Sequence, residues 1–303
     1  MWEQLLSDVP NWGFAIFLAL ILVELGLDLS RKLGIYRLKD TLCSLTMSTF
    51  YLGTKTLMKG FTFALMFLTY QLAPFHLESN WMTFILCYIV MDLAVYWYHR
   101  FVHEVRFGWA AHIAHHSSRE YNLGGTALRQ SFAEPFFEPF FYALVPLLGF
   151  DPIMALVALE VNLIYMFWVH SRRMGKLHPA FEWLMSTPSH HRVHHARNVP
   201  YLDKNYGGTF IVWDRLFGTF AQEQEAPEFG ILQQLETHNP LKASLHSWQA
   251  LARDVWHARG LGNKLGYLVM PPGWAPDGQG LTTRQLQAQH ARESAPQGTG
   301  VTA

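Results

Sequence analysis

Three groups of histidine carry the chemistry this sequence suggests. They are His99-Arg-Phe-Val-His103, His112-Ile-Ala-His115-His116 and His191-Arg-Val-His194-His195. On a helix, positions three and four apart lie about one turn away on one face, so each group presents its imidazoles together. Neutral imidazole is a common ligand for first-row transition metals. Eight such nitrogens exceed what one ion takes; about four to six positions per ion, with one or two left open for O2, imply a pair of ions. A single His-x3-His occurs often by chance, and a lone histidine on an apolar helix is usually a satisfied core or interfacial residue. Three groups in one chain outweigh that reading, because eleven of the sixteen histidines fall between His99 and His195.

His170 lies where the chain returns to the side of the boxes just before the third group, and is expected to be a further ligand. His178 and His190 are left open, and His76, His238, His246, His257 and His290 read as ordinary surface or interface residues. Metal-bound imidazoles usually donate their other N–H to a carboxylate or carbonyl. Asp92, seven residues before His99 and almost on the same helical face, is therefore expected to bond a polar partner, since an isolated buried carboxylate is costly. Glu104, Glu120, Glu134, Asn198, Asp203 and Asn205 are weaker candidates for that role. Arg100 and Arg119 are expected to meet lipid headgroups or cap helix ends.

The elements that must position these groups look membrane-embedded. Half of the 303 residues are hydrophobic and 15% are charged, a balance that leans toward a membrane protein. With 23 basic and 23 acidic residues there is no excess of positive charge to meet a nucleic acid. Cys43 and Cys87 sit in apolar stretches and suit small buried residues better than a disulfide framework. Residues 12–27 form a first apolar helix carrying one Glu and followed by Arg31, Lys32, Arg37 and Lys39, which marks the following segment as cytoplasmic. Residues 81–98 have the length of a span and deliver the chain into His99. Residues 132–149 and 151–169 read as two helical arms joined by a Gly-Phe-Asp-Pro turn, so that the second and third boxes share a side. For the boxes to be cytoplasmic, 41–75 must cross the membrane once rather than twice. The expected architecture is all-α, an integral membrane helical bundle with a cytosolic histidine-rich di-metal cap. Its expected parts are N-terminal transmembrane helices over 1–98, a histidine-box domain over 99–220, a helical cap over 221–270, and a partly disordered tail over 271–303.

In DLAVYWYHRFVHE, WAAHIAHHSSREYN, WVHS, TPSHHRVHHARN and DKNYGGTFIVWDRLFGTF the chain resembles the fatty acid hydroxylase and sterol desaturase superfamily, most of all the branch containing alkylglycerol monooxygenase and its bacterial relatives. The resemblance covers roughly His99 to Phe220. It implies that His99, His103, His112, His115, His116, His191, His194 and His195 bind two non-haem irons, with His170 a ninth ligand. It also implies a cytoplasmic site, O2 as oxidant, and hydroxylation or desaturation of a lipid. Electrons must come from an external donor of pterin, cytochrome or ferredoxin type, because no cytochrome or flavin motif is visible. Two rivals are a zinc-dependent membrane hydrolase and a metal- or haem-binding membrane protein. Zinc sites use three or four ligands with a nearby base, and haem bundles place paired histidines inside the membrane on facing spans; neither pattern fits these boxes. Phe132, Phe136, Phe137, Phe140, Phe141, Phe167 and Trp168 could line an acyl channel, although aromatic helices at a membrane are more often lipid-facing or core.

Overall fold

The computed structural model describes residues 1–294, which are helical throughout except for loops and two isolated β-bridges. Helix α1 (Trp2–Arg31) is followed by α2 (Leu38–Gln71) and α3 (Trp81–Glu104). Both α1 and α3 are long and apolar enough to cross a membrane. Both carry large exposed apolar side chains, among them Phe14 and Val23 on α1 and Met82 and Ile85 on α3, and α3 also buries Cys87, Met91 and Val95. The stretch 41–75, expected to cross once rather than twice, lies almost wholly in one uninterrupted helix of 34 residues, about 51 Å long at 1.5 Å per residue.

The start of α3 is fixed by the sequence. Asn80 accepts from the amides of Met82 and Thr83, and Thr83 in turn caps the amide of Asn80. After the extended residue Val105 the chain turns into α4 (Arg106–His116), so the first two boxes are adjacent in space. The first arm expected over 132–149 is not one helix. Pro135, Pro139 and Pro146 each remove a backbone donor, and the stretch breaks into a 3-10 turn, the five-residue α5 (Glu138–Tyr142) and a second 3-10 turn. The second arm is regular: α6 (Pro152–Trp168) starts on Asp151, whose carboxylate accepts from the amides of Ile153 and Met154, with Pro152 at its first position. Met66, Cys87, Met91, Val95, Val102, Met154 and Ala158 form the main core between α2, α3 and α6.

The remainder covers the box end. It comprises α7 (Pro179–Leu184), α8 (Pro188–His194), α9 (Val212–Phe217), α10 (Pro240–His257) and α11 (Leu261–Val269). The tail expected to be disordered contains α12 (Thr283–Ser294), which is tied back where the Gln287 amide donates to the carbonyls of Val199 and Leu202. Residues 295–303 lie outside the described residues.

Two carboxylates on α1 bind its box end to the rest. Glu24 accepts from the Tyr36 hydroxyl, the Leu123 amide and the Ser171 hydroxyl, while Asp28 accepts from the amides of Ile35 and Tyr36. These ties pull the segments flanking the second box and His170 onto the same helix end.

Candidate metal centre

The boxes meet as two sets of buried imidazoles. His99, His103, His112, His116 and His194 offer ring nitrogens within 4.8 Å of one another, and His115, His170, His191 and His195 do the same. Each three-histidine box is divided between the sets. His112 and His116, four apart on α4, go to the first and His115 to the second; His191 and His195, four apart, go to the second and His194 to the first. A separation of four residues is closest to a full helical turn, so that pair shares a direction while the third ring points aside. His170, just beyond the end of α6, completes the second set.

One nitrogen of most of these rings is held by a fixed acceptor. Nδ1 of His99 faces the carbonyl of Tyr206 at 2.9 Å, His194 that of Lys204 at 3.0 Å, His115 that of Arg129 at 2.8 Å, and His170 that of Met166 at 3.0 Å. Nδ1 of His112 lies 3.2 Å from Glu134, and Nδ1 of His103 lies 3.6 Å from Asp203. A carbonyl can only accept, so these contacts put the proton on Nδ1 and leave Nε2 with its lone pair. The Nε2 atoms of His103, His112, His116 and His194 are buried without a hydrogen-bond partner. In the second set Nε2 of His170 stands 2.9 Å from that of His191 and 3.3 Å from that of His115, and Nε2 of His191 stands 3.1 Å from that of His195. Converging lone pairs away from water are unfavourable alone and fit a cation between them.

Burial keeps these imidazoles neutral. It lowers the pKa of His112 to about 3 and of His115 to about 4, and holds His116, His170, His191, His194 and His195 well below the ordinary histidine value, neighbouring rings adding to the effect. Ligands that arrive deprotonated need not shed protons to bind metal at neutral pH.

The remaining candidates sort by contact. Asp92 is fully buried and accepts from the Thr209 and Phe210 amides, the Trp213 indole and the Asn162 amide. Of the weaker acids, Glu134 and Asp203 face box histidines. Glu104 pairs with Arg100, Glu120 with Arg37, and Asn198 bonds Glu225; Asn205 bonds backbone instead of a histidine ring. His178 is exposed and caps α7, and buried His190 contacts Thr187 outside both sets. Arg119 pairs with Glu236. Among the aromatics, Phe167 stacks on Phe17 at 3.9 Å, Phe137 and Phe141 pack against Trp248 and Phe101, and Phe136 and Phe140 are exposed. The carbonyls of Lys204, Tyr206, Arg129 and Met166 have no side-chain signature, and Asp214, which holds the backbone around Tyr206, stands eight residues downstream of it. A cavity of about 410 Å³ is bounded by Arg100, Glu104, Asp203, Lys204, Phe217 and Arg284.

The sequence pattern of the family described as fatty acid hydroxylase matches residues 84–219, a span that holds both histidine sets. The chain is 35% identical over 276 residues to an alkylglycerol monooxygenase of Xenopus tropicalis, covering 89% of this chain and 61% of that protein. It is 35% identical over 285 residues to the alkylglycerol monooxygenase of Homo sapiens, covering 90% and 62%. An ornithine lipid hydroxylase of Rhizobium tropici is 30% identical over 138 residues, 44% of this chain and 40% of its own length. The chain thus spans about three fifths of the alkylglycerol monooxygenases it matches. No solved structure matches it. With likeness running through the helices as well as the boxes, the chain belongs to the fatty acid hydroxylase superfamily.

Proposed function

We propose that this chain is a multi-pass membrane oxygenase that holds two non-haem irons and uses O2 to hydroxylate or desaturate a lipid. The single observation that carries the reading is the division of nine buried, neutral imidazoles into a set of five and a set of four at one end of apolar helices. His99, His103, His112, His116 and His194 would hold one iron, and His115, His170, His191 and His195 the other. Bound iron supplies the redox chemistry that turns O2 against an unactivated C–H bond.

The protein's own groups set the conditions for that chemistry. Carbonyl and carboxylate acceptors at Nδ1 orient the rings and keep Nε2 free, and burial excludes water from between them. The segments after the second box and after α6 are tied to the end of α1 and the loop that follows it, and the basic residues Arg31, Lys32, Arg37 and Lys39 there support a cytoplasmic location for this end. Substrate would reach the site from the membrane, as the lipid-modifying relatives suggest, and an external reductant of pterin, cytochrome or ferredoxin type would supply electrons from the aqueous side.

The test is lipid profiling by mass spectrometry of cells with and without the protein, with His194→Ala as the control. A lipid class gaining one oxygen, or losing two hydrogens, only with the unsubstituted protein is the expected result. The same change persisting in the His194→Ala control would overturn the assignment of the chemistry to this centre.

A further inference from the structure

The segment from Asp203 to Asp214 faces the rings of three of the nine clustered histidines, all of them in the five-histidine set. The Tyr206 carbonyl accepts from His99, the Lys204 carbonyl accepts from His194, and the Asp203 carboxylate faces His103. The four-histidine set takes its acceptors elsewhere, at Arg129 for His115 and at Met166 for His170.

This segment is held in a costly conformation. Asp203 and Asn205, flanking Lys204, have φ of 56° and 59°, in the left-handed region that residues with a Cβ seldom adopt. Such strain persists only where the surroundings over-determine it. The Asn205 side chain donates to the carbonyls of His190 (3.0 Å) and Ala221 (2.8 Å) and accepts from the Ala221 amide (2.8 Å). Asp214 accepts from the amides of Tyr206 (2.8 Å) and Gly207 (2.7 Å) and from the Thr219 hydroxyl (2.6 Å). Asp92 then grips the amides of Thr209 and Phe210. Two glycines make the grip possible: a Cβ at Gly207 would come within 2.6 Å of the Phe210 carbonyl, and one at Gly208 within 2.8 Å of Asp92 Oδ1.

We propose that residues 203–214 are a dedicated positioning element for the five-histidine set, with Asn205 and Asp214 as anchors that touch no proposed metal ligand's ring yet fix the orientation and the Nδ1 proton of His99 and His194. The proposal rests on the metal reading above and adds that the two metal positions are tuned by separate parts of the chain.

Cobalt(II) titration of the full chain in lipid nanodiscs, stripped with a chelator and followed by ligand-field absorption, tests it. The unsubstituted protein takes up cobalt in two phases. In Asp214→Asn, where one carboxamide cannot accept from both amides through the same pair of atoms, one phase weakens by roughly 10–100-fold while the other stays unchanged. Asn205→Gly relieves the left-handed backbone but removes the side-chain anchor, so it gives the same selective loss without imposing strain. It also serves as the working variant if Asp214→Asn does not fold. Equal weakening of both phases, or two unaltered phases in both variants, overturns the positioning role. An unsubstituted chain that takes up no cobalt refutes the metal reading itself, and the positioning role with it.

Discussion

The ring of His116 lies on the ring of His195, with centroids 4.2 Å apart and planes inclined by 18°. His116 belongs to the five-histidine set and His195 to the four-histidine set, so this stack joins the two sets, and it is closer than the one between His191 and His194, whose centroids are 5.0 Å apart. Replacing either ring opens a gap for the other, and His195→Ala is expected to loosen metal at both positions. His170→Ala, whose ring among the clustered histidines meets only His115, His191 and His195 of its own set, is expected to affect chiefly the four-histidine position. Metal content per chain of the two variants, measured side by side, checks this: equal losses in both would show that the stack transmits nothing.

Glu134 is the carboxylate partner of His112, at 3.2 Å. Glu134→Ala removes the acceptor and leaves His112 free to rotate or change tautomer, which should lower metal affinity by about 10–100-fold. Glu134→Gln keeps an oxygen at that distance and should cost much less. The comparison is made by competition against a chelator of known affinity.

Asp92 satisfies four donors from a fully buried position between α3, α6 and the loop over the site. Asp92→Ala strands those donors and should destabilise the protein by roughly 3–5 kcal/mol. Asp92→Asn retains one acceptor and should fall between. Thermal unfolding in detergent reads both, and an Asp92→Ala protein as stable as the parent would remove Asp92 from the account.

Acidification should release metal and destabilise the apo-protein together. The buried histidines have folded pKa values below the unfolded value of 6.5, about 4 for His115 and about 3 for His112. Between those limits the unfolded chain binds more protons than the folded one, so stability falls as pH drops below 6.5 and is restored above it. Unfolding of metal-free protein at pH 7.5, 6 and 5 should show a progressive fall, and constant stability across that range would contradict neutral, buried imidazoles.

Much of the candidate centre was legible because its histidines stand at a helical spacing. The boxes at His99, His112 and His191, and the return of the chain at His170, were visible from spacing and apolar runs alone. Asp92 was visible as a carboxylate too costly to leave unpaired. What the sequence hid has physical reasons. The carbonyls of Lys204 and Tyr206 are common to every residue, and only the left-handed turns at Asp203 and Asn205 aim them. The division of the second and third boxes between two sets depends on how α4 and α8 meet. The broken first arm was masked by its apolar composition, although Pro135, Pro139 and Pro146 signalled it. The helix at Thr283–Ser294 was masked by polar composition, because Gln287 reaches backbone carbonyls rather than burying apolar surface.

The most direct measurement is iron content with Mössbauer spectroscopy of protein made in cells supplied with 57Fe and purified without oxygen. Two irons per chain in nitrogen-rich, non-haem environments, with no Soret band, is the predicted result for sets of five and four histidines. One metal per chain, or a Soret band, under the same iron-replete conditions would contradict the di-iron account.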